Sequence, residues 1–256
     1  MTFLDALFGL HGQTAVVTGA GKGIGKACAL ALAQAGADVT LVARTESDLL
    51  RVADEIRALG RRAITVAGDI SDEAIMDRVI ARTTEEWGRL NILVNNVGGS
   101  GPNHPLKTSS EQLNATLIWN VTPAFLMIQK AAPAMRASGS GAVINISSVA
   151  ARYAQKHFSA YGAAKAALNQ LTRNLAQDLG PDIRINAIEP GTIMTDALLP
   201  FLTDERKERM LKTTPLARLG QPEDIAAAVV YLASAASSWV TGKIIGVDGG
   251  VESPNF

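Results

Sequence analysis

Seven short runs rich in β-branched residues alternate with longer segments of helical periodicity, and this order is what most constrains the fold. Strands and helices in regular succession form parallel βαβ units. Several runs, ILVNN among them, are apolar at consecutive positions, as expected where helices cover both faces of a parallel sheet. The sequence therefore predicts an α/β fold with a doubly wound, seven-stranded parallel sheet and helices on both faces.

The chain of 256 residues shows no linker, tandem repeat or low-complexity stretch, so we expect one domain spanning 1–256. Its longest irregular stretches, 97–108 and 191–221, both follow strands, where open α/β sheets bind ligands. The predicted strands are 14–19, 39–43, 63–70, 91–96, 142–148, 183–190 and 243–248. The predicted helices are 24–35, 46–59, 72–87, 110–137, 159–179 and 222–235.

Charge and cysteine content narrow the class of partner. Lys+Arg and Asp+Glu both total 24, and no run of five like charges occurs, which argues against nucleic acid or an anionic membrane and favours a small-molecule substrate. The single cysteine, Cys28, lies among small apolar residues and is expected to be a buried thiol. The first ten residues lack a basic leader and are too short to span a bilayer. We therefore expect a cytoplasmic protein, and no metal site is predicted.

A glycine-rich turn follows the first predicted strand and opens a helix. Its glycines, Gly19, Gly21, Gly23 and Gly25, let the backbone approach a pyrophosphate closely, and the amides from Ile24 onward, with the helix dipole, attract its charge. A tight turn without a ligand is the alternative. Because a strand precedes the turn and a periodic helix follows it, a dinucleotide site is the favoured interpretation.

The end of the second strand usually decides between the two nicotinamide cofactors, since an acidic residue there binds the adenosine ribose and repels a 2′-phosphate. Here that end is Arg44, whose planar fork matches phosphate oxygens, and Lys22 could add a second positive charge. NADP(H) is therefore favoured over NAD(H). Two solvated surface cations are the alternative.

The third and fourth strands end in residues that could contact the rest of the dinucleotide. Asp69 could accept a hydrogen bond from the adenine amino group while Ile70 packs on the ring, or Asp69 could cap the next helix. At the end of the fourth strand, the amides of Asn95 and Asn96 can brace neighbouring strands, and Gly98 admits the cofactor closely.

A candidate catalytic group follows the fifth strand, where Ser148 is succeeded by Tyr161 and Lys165 on one helix face. A phenol can donate a proton to an alkoxide as hydride arrives if its pKa falls, and lowering it from about 10 to about 7 takes roughly 4 kcal/mol. The Lys165 ammonium and an oxidised nicotinamide are the available sources. Ser148 can orient a carbonyl oxygen. A serine hydrolase is disfavoured, because no GxSxG turn surrounds Ser148.

The sequence resembles the short-chain dehydrogenase/reductase family along essentially its whole length. The resemblance is carried in order by TGAGKGIG at 18–25, Asp69, NNVG at 95–98, Asn120, Ser148, YGAAK at 161–165, and Pro190-Gly191. It departs from the usual NNAG at Val97, which places a larger group beside the cofactor. The resemblance implies a Rossmann-type fold, oxidation of alcohols or reduction of ketones, and a homotetramer.

The resemblance also implies roles for individual residues. Tyr161 would be the acid/base, Ser148 would orient the substrate, and Lys165 would bind the nicotinamide ribose while lowering the tyrosine pKa. Asn120 would hold a water that links Lys165 to solvent. The segment Pro190, Gly191, Ile193 and Thr195 would line the nicotinamide.

Within the family, GGSGP at 98–102, PGTIMTDAL at 190–198, TPLARLGQPEDIA at 214–226 and SSWVTGKIIGVDGG at 237–250 look most like bacterial 7α-hydroxysteroid dehydrogenases, and 3-oxoacyl-carrier-protein reductases are the alternative. Residues 196–214 are interpreted as a mobile helical lid, whose apolar residues could cover a substrate or belong to the core. The cations of this segment could meet an acidic carrier protein, but interleaved acidic residues favour a solvated face. The apolar residues of 196–214 are Leu198, Leu199, Phe201, Leu202, Met210 and Leu211.

A cofactor-sensing protein without catalysis is the alternative from another functional class.

Overall fold

The computed structural model describes residues 2–252, apart from the side chain of Phe201. Within that range one parallel sheet has the strand order β3-β2-β1-β4-β5-β6-β7. The strands are β1 Thr14–Thr18, β2 Asp38–Ala43, β3 Ala63–Ala67, β4 Ile92–Asn95, β5 Gly141–Ile146, β6 Ile183–Pro190 and β7 Ile244–Val247. The predicted seven-stranded parallel sheet is confirmed. Met1 and residues 253–256 of the predicted domain lie outside the described residues.

Helices connect the strands at the predicted places. Both ends of each of the six predicted helices lie within two residues of the observed ends. The helices are α1 Phe3–Phe8, α2 Gly23–Gln34, α3 Glu46–Ala58, α4 Glu73–Trp87, α5 Ser110–Ala137, α6 Ser159–Asp178, α7 Asp204–Thr213 and α8 Pro222–Ala233. The sequence did not predict α1, a single capped segment in which Thr2 and Asp5 bond reciprocally. Between residues 2 and 252 no helix combines the length and hydropathy that a bilayer crossing needs.

Two hydrophobic layers enclose the sheet, one on each face. In β1, Ala15 and Val17 belong to the layer formed with α2, α3 and α8, whereas Val16 faces α4 and α5 in the other. Successive side chains of a strand point to opposite faces, so a strand buried on both sides must be apolar throughout. Cys28 lies fully buried in the first layer, and burial raises the pKa of its thiol to about 12. The expected core thiol is confirmed.

The order in which the chain adds strands to the sheet reverses between β1 and β4. This position determines where a ligand can bind. The chain leaves β1 towards β2 on one side, while β4 to β7 extend on the other, so a crevice opens at the carboxyl ends of β1 and β4. Asn95 donates to Asn145 across β4 and β5 at 3.0 Å, and Asn145 donates to Thr172 of α6 at 2.9 Å. These buried amides fix the strand ends that border the crevice.

Candidate active site

The glycine turn after β1 has the geometry of a dinucleotide cradle. Gly19 and Gly23 adopt φ of +67° and +53°, which side chains rarely tolerate. A Cβ on Gly19 would lie 2.7 Å from Nδ2 of Asn96, and that amide donates to the carbonyl of Thr18 at 3.0 Å. Helix α2 starts at Gly23 without a side-chain cap, so its first backbone amides are available to a phosphate.

The predicted cofactor residues border one continuous cleft made of two cavities of about 390 and 420 Å³. Both cavities include Lys22, Asn96 and Gly98. The first also includes Gly19, Gly21, Arg44, Asp69 and Ile70, and the second includes Gly23, Ile24, Tyr161, Lys165, Pro190, Gly191, Ile193 and Thr195. Gly25 does not line the cleft. It packs against the backbone of Gly19, where a side chain would clash, and so lets α2 approach β1.

Two cations lie at the adenosine end of the cleft, but their surroundings differ. Lys22 pairs with Asp48 of α3 at 3.2 Å, and Arg51 pairs with the same carboxylate at 2.8 Å. Arg44 is exposed and forms no hydrogen bond or salt bridge with any residue in 2–252. Sequence reasoning missed Asp48, which lines the same cavity four residues after Arg44. The positive charge of Lys22 is therefore partly neutralised by an ion pair, whereas Arg44 forms no ion pair within residues 2–252 and has only the more distant carboxylate of Asp69 nearby.

Asp69 is a turn residue at the wall of the cleft and does not cap a helix. Its Oδ1 accepts from the backbone and hydroxyl of Ser71 at 2.9 and 2.8 Å. These bonds hold the pKa of Asp69 below its usual value, and the nearby charge of Arg44 adds to this. The cap of α4 is Asp72, which accepts from the amide of Ala74. The alternative that Asp69 caps the helix is wrong, and its second oxygen forms no hydrogen bond with the described residues.

Ser148, Tyr161 and Lys165 come together where β5 and α6 meet at the cleft. Ser148 follows β5 and accepts from the amide of Ala150 at 3.2 Å, while α6 carries the other two on successive turns. Lys165 is almost completely buried, donates to the carbonyl of Ile146 at 2.9 Å, and has its Nζ 5.8 Å from the centre of the Tyr161 ring. All three line the same part of the cleft. The i and i+4 spacing of the tyrosine and lysine produces this arrangement.

Asn120 lies behind the cleft rather than on its wall. Its Oδ1 accepts from the amide of Gly99 at 2.7 Å, and its Nδ2 donates to the carbonyls of Gly99 and Thr116 at 3.2 and 2.9 Å. A Cβ on Gly98 would lie 2.7 Å from Oδ1 of Asn120 and 2.9 Å from Nζ of Lys165. The side chain of Asn120 therefore fastens the segment after β4 to α5, directly beside Lys165.

The pKa values in this centre differ from the sequence-based expectation. Desolvation in the cleft raises the pKa of Tyr161 above its usual value, and the adjacent hydroxyl of Ser148 opposes the rise. Desolvation lowers the pKa of Lys165 to about 8. The expected fall of the phenol pKa is not produced by the residues of this chain, because the cost of burying a phenolate exceeds the effect of its neighbours.

A further cavity of about 530 Å³ opens beside Ser148 and Tyr161 and shares both with the cofactor cleft. Of the apolar residues expected to cover a substrate, Leu198 lines this cavity. Met210 is fully buried and Leu199 is half exposed. Leu198 is thus placed to cover a substrate and Met210 belongs to the core, while Leu199 takes neither of the two roles left open by the sequence. Phe201 has its side chain outside the described part.

Sequence reasoning also missed two residues at the cleft. Trp119 borders the adenosine end, and Ser147 lines the nicotinamide end, where its hydroxyl donates to the carbonyl of Lys165 at 3.3 Å. In the sequence, only their position next to a predicted site residue indicated them, since Trp119 precedes Asn120 and Ser147 precedes Ser148.

Comparison with known proteins finds related sequences that match almost the whole chain. Residues 19–252 match a family model described as enoyl-(acyl carrier protein) reductase. The chain is 50% identical over 252 residues to an uncharacterized oxidoreductase of Mycobacterium tuberculosis, covering 98% of this chain and 96% of that protein. It is 41% identical over 242 residues to 7α-hydroxysteroid dehydrogenase of Escherichia coli K12, covering 94% of each.

A solved 7α-hydroxysteroid dehydrogenase, complexed with NADH and 7-oxo glycochenodeoxycholic acid, superposes with a TM-score of 0.94 at 40% identity over 98% of both chains. The protein is therefore an oxidoreductase that acts on alcohol or ketone groups, and it belongs to the short-chain dehydrogenase/reductase family.

Proposed function

We propose that this protein interconverts a secondary alcohol and a ketone with NADP(H), using Tyr161 as the acid/base. The observation that carries the proposal is that Ser148 and Tyr161 border both the dinucleotide cleft and the adjacent cavity. A carbonyl placed between the two spaces would meet a hydroxyl, a phenol and a buried ammonium together. When bound, the nicotinamide supplies or accepts the hydride.

The raised pKa of Tyr161 keeps its phenol protonated at neutral pH, which suits donation of a proton to the oxygen of a ketone. Ser148 orients that oxygen through its hydroxyl. Lys165, with a pKa of about 8, still carries its proton at pH 7 and favours the phenolate that remains after the transfer. Oxidation of the alcohol needs the phenolate first, so we expect the oxidation rate to rise with pH where the reduction rate falls.

Asn120 acts as a positioning residue in this proposal. It holds the backbone of Gly99 and with it the segment that borders both spaces. Because its side-chain amide already makes three hydrogen bonds within the protein, a water that links Lys165 to solvent would bind the Asn120 backbone.

Arg44 supports the preference for NADP(H). Its guanidinium follows β2, lines the adenosine cavity and forms no salt bridge with the residues described, although the carboxylate of Asp69 is near enough to interact with its charge. The partial neutralisation of Lys22 by Asp48 leaves Arg44 as the main ligand for a 2′-phosphate. The solved relative contains NADH, so cofactor choice is a point on which relatives can differ. Replacing Arg44 with Asp should weaken NADPH binding by about tenfold or more and leave NADH binding largely intact. Unchanged NADPH affinity would overturn the assignment.

The substrate we propose has an apolar, hydroxysteroid-like body. The cavity beside Tyr161 is large enough for a drug-sized molecule, and the similarity to 7α-hydroxysteroid dehydrogenases points the same way. Residues 196–214 would close over it as a lid.

A 3-oxoacyl thioester is the second candidate, because the matching family model is described by an acyl-carrier-protein activity. Purified protein tested with both cofactors against steroid ketones, simple ketones and 3-oxoacyl thioesters would separate these. NADPH binding without turnover of any ketone would instead identify a cofactor sensor.

We also propose that the chain assembles as a homotetramer. Several large apolar side chains are exposed on α5 and near the C-terminal strand, and Trp239 is 99% exposed. Burial of such residues between copies would remove apolar surface from water. A monomeric mass by light scattering would contradict this.

A further inference from the structure

The cavity beside Tyr161 is unusual in its charge. The chain as a whole is neutral, with 24 basic and 24 acidic residues, yet the described lining of this cavity contains Lys156, Arg206 and Arg209 and no Asp or Glu. We call these three residues the cationic rim. They belong to two separate segments, the loop before α6 and helix α7, so a ligand in the cavity would meet positive charge from two sides.

Helix α7 shows that this distribution is not a general property of a charged surface. Its acidic residues Asp204, Glu205 and Glu208 and its other cations, Lys207 and Lys212, are absent from the described cavity wall. Lys212 pairs with Glu208 at 2.8 Å, and neither of the two lines the cavity. The two arginines of α7 therefore line the cavity, whereas its carboxylates do not. All charged residues of α7 are exposed, as the interleaved sequence predicted, and the two arginines also border the cavity.

The loop side of the rim is held in place, and it contains a buried amide without a hydrogen-bond partner. The Nε2 of Gln155 is buried at the cavity and has no hydrogen-bond partner within residues 2–252. His157 adopts φ of +67°, and its carbonyl accepts from the amide of Asn103 at 2.6 Å. A non-glycine residue in this conformation persists where the surrounding structure fixes it. Lys156 thus lies between a buried amide without an acceptor and a fixed, strained residue.

We propose that the substrate of this enzyme is an acidic ketone or alcohol, whose carboxylate or other anionic group binds the cationic rim while its reacting carbon lies at Tyr161. This inference rests on the proposed function and specifies the substrate class for the same site. A carboxylate accepts charge-assisted hydrogen bonds from cationic side chains such as Lys156 and Arg209, as a neutral apolar tail cannot. The rim residues are exposed, so the anion would lie at the mouth of the cavity and the apolar body inside.

The test compares ketocarboxylates with their methyl esters, which differ in charge and little in shape. A suitable panel includes 7-oxo glycochenodeoxycholic acid, an aromatic ketoacid and an aliphatic ketoacid. For each pair the ratio of kcat/KM for the acid to that for the ester is measured with NADPH. We expect wild type to favour the acid by about tenfold or more for at least one pair, since a hydrogen bond to a charged group contributes at this level. Added NaCl should reduce the ratio.

Arg209→Met and Lys156→Met should each lower this ratio several-fold, and Arg209→Glu should bring it to one or below. Lys207→Met is the matched control, because it removes a cation from the same helix without touching the cavity wall, and it should leave the ratio unchanged. The ratio compares two substrates within one variant, so a general loss of stability or of cofactor binding cancels. A ratio near one for every pair in wild type, or an equal ratio in Arg209→Met and Lys207→Met, would overturn the inference.

Failure of the proposed function would look different, since no ketone, acid or ester, would then oxidise NADPH. In that case calorimetric titration of the NADPH-loaded protein with each acid and ester still decides the charge preference. Tighter binding of the acid that is lost in Arg209→Met supports the rim as an anion site. Equal binding of acid and ester, or binding of neither, contradicts it.

Discussion

Gly98 separates two of the proposed functional side chains, and its replacement by alanine tests how tightly the centre is packed. The added Cβ would lie 2.7 Å from Oδ1 of Asn120 and 2.9 Å from Nζ of Lys165, against an ordinary contact distance of at least 3.4 Å. Neither neighbour can move freely, because Asn120 holds the backbone of Gly99 and Lys165 donates to the carbonyl of Ile146. Overpacking of this kind costs roughly 1–3 kcal/mol.

We therefore expect Gly98→Ala to bind NADPH roughly 5- to 100-fold more weakly, if the strain is relieved by moving Lys165 from its place at the cleft. If the strain is instead borne by the folded state, the melting temperature should fall by about 2–4 °C for each kcal/mol. Fluorescence titration and thermal unfolding measure the two effects. Gly101→Ala is the matched control, since its Cβ would meet nothing within 4 Å, and it should change neither quantity. A Gly98→Ala protein with wild-type NADPH affinity and wild-type stability would refute the reasoning.

Three further predictions follow from individual contacts. Asp224, whose pKa the hydrogen bonds from Arg218 lower to about 2, should stabilise the fold by about 1 kcal/mol after allowance for solvent screening. Because its folded pKa lies below the unfolded value of 3.8, the loss in Asp224→Asn should be full above about pH 4 and disappear towards pH 2; urea unfolding across that range checks it. Asn120→Ala should lower kcat by at least about tenfold, because the backbone amide of Gly99 then loses its hydrogen-bond acceptor. The rate of ketone reduction is the assay. The Cys28 thiol should resist a thiol reagent in the native protein and react fully in denaturant, and rapid native labelling would contradict its burial.

Local patterns in the sequence were sufficient to predict the sheet and the meeting of most candidate site residues at one cleft. The helical spacing of Tyr161 and Lys165 places them on one face wherever the helix lies, and the glycine turn after a strand can only open at the carboxyl edge of the sheet. Asn95 braces Asn145 as the amide pattern suggested. These features depend on neighbours in the chain or on the direction of strands, both of which the sequence contains.

Features that depend on packing between distant segments could not be predicted. The pairing of Lys22 with Asp48 joins the glycine turn to α3, and the hold of Asn120 on Gly99 joins residues 21 positions apart. The rise in the Tyr161 pKa depends on how much protein surrounds the phenol, which sequence spacing does not report. The arginines of α7 are exposed, as their acidic neighbours indicated, but only the rotation of the helix shows that they also border a cavity.

The central claim is that the Tyr161 phenol transfers the proton that accompanies hydride transfer. The most direct measurement is single-turnover oxidation of NADPH by saturating ketone in Tyr161→Phe, beside the affinity of the same variant for NADPH. The account predicts NADPH binding close to wild type and a rate lowered by about 10²- to 10⁴-fold, because the ring remains and only the proton donor is lost. A variant that binds NADPH normally and reduces the ketone near the wild-type rate would contradict it.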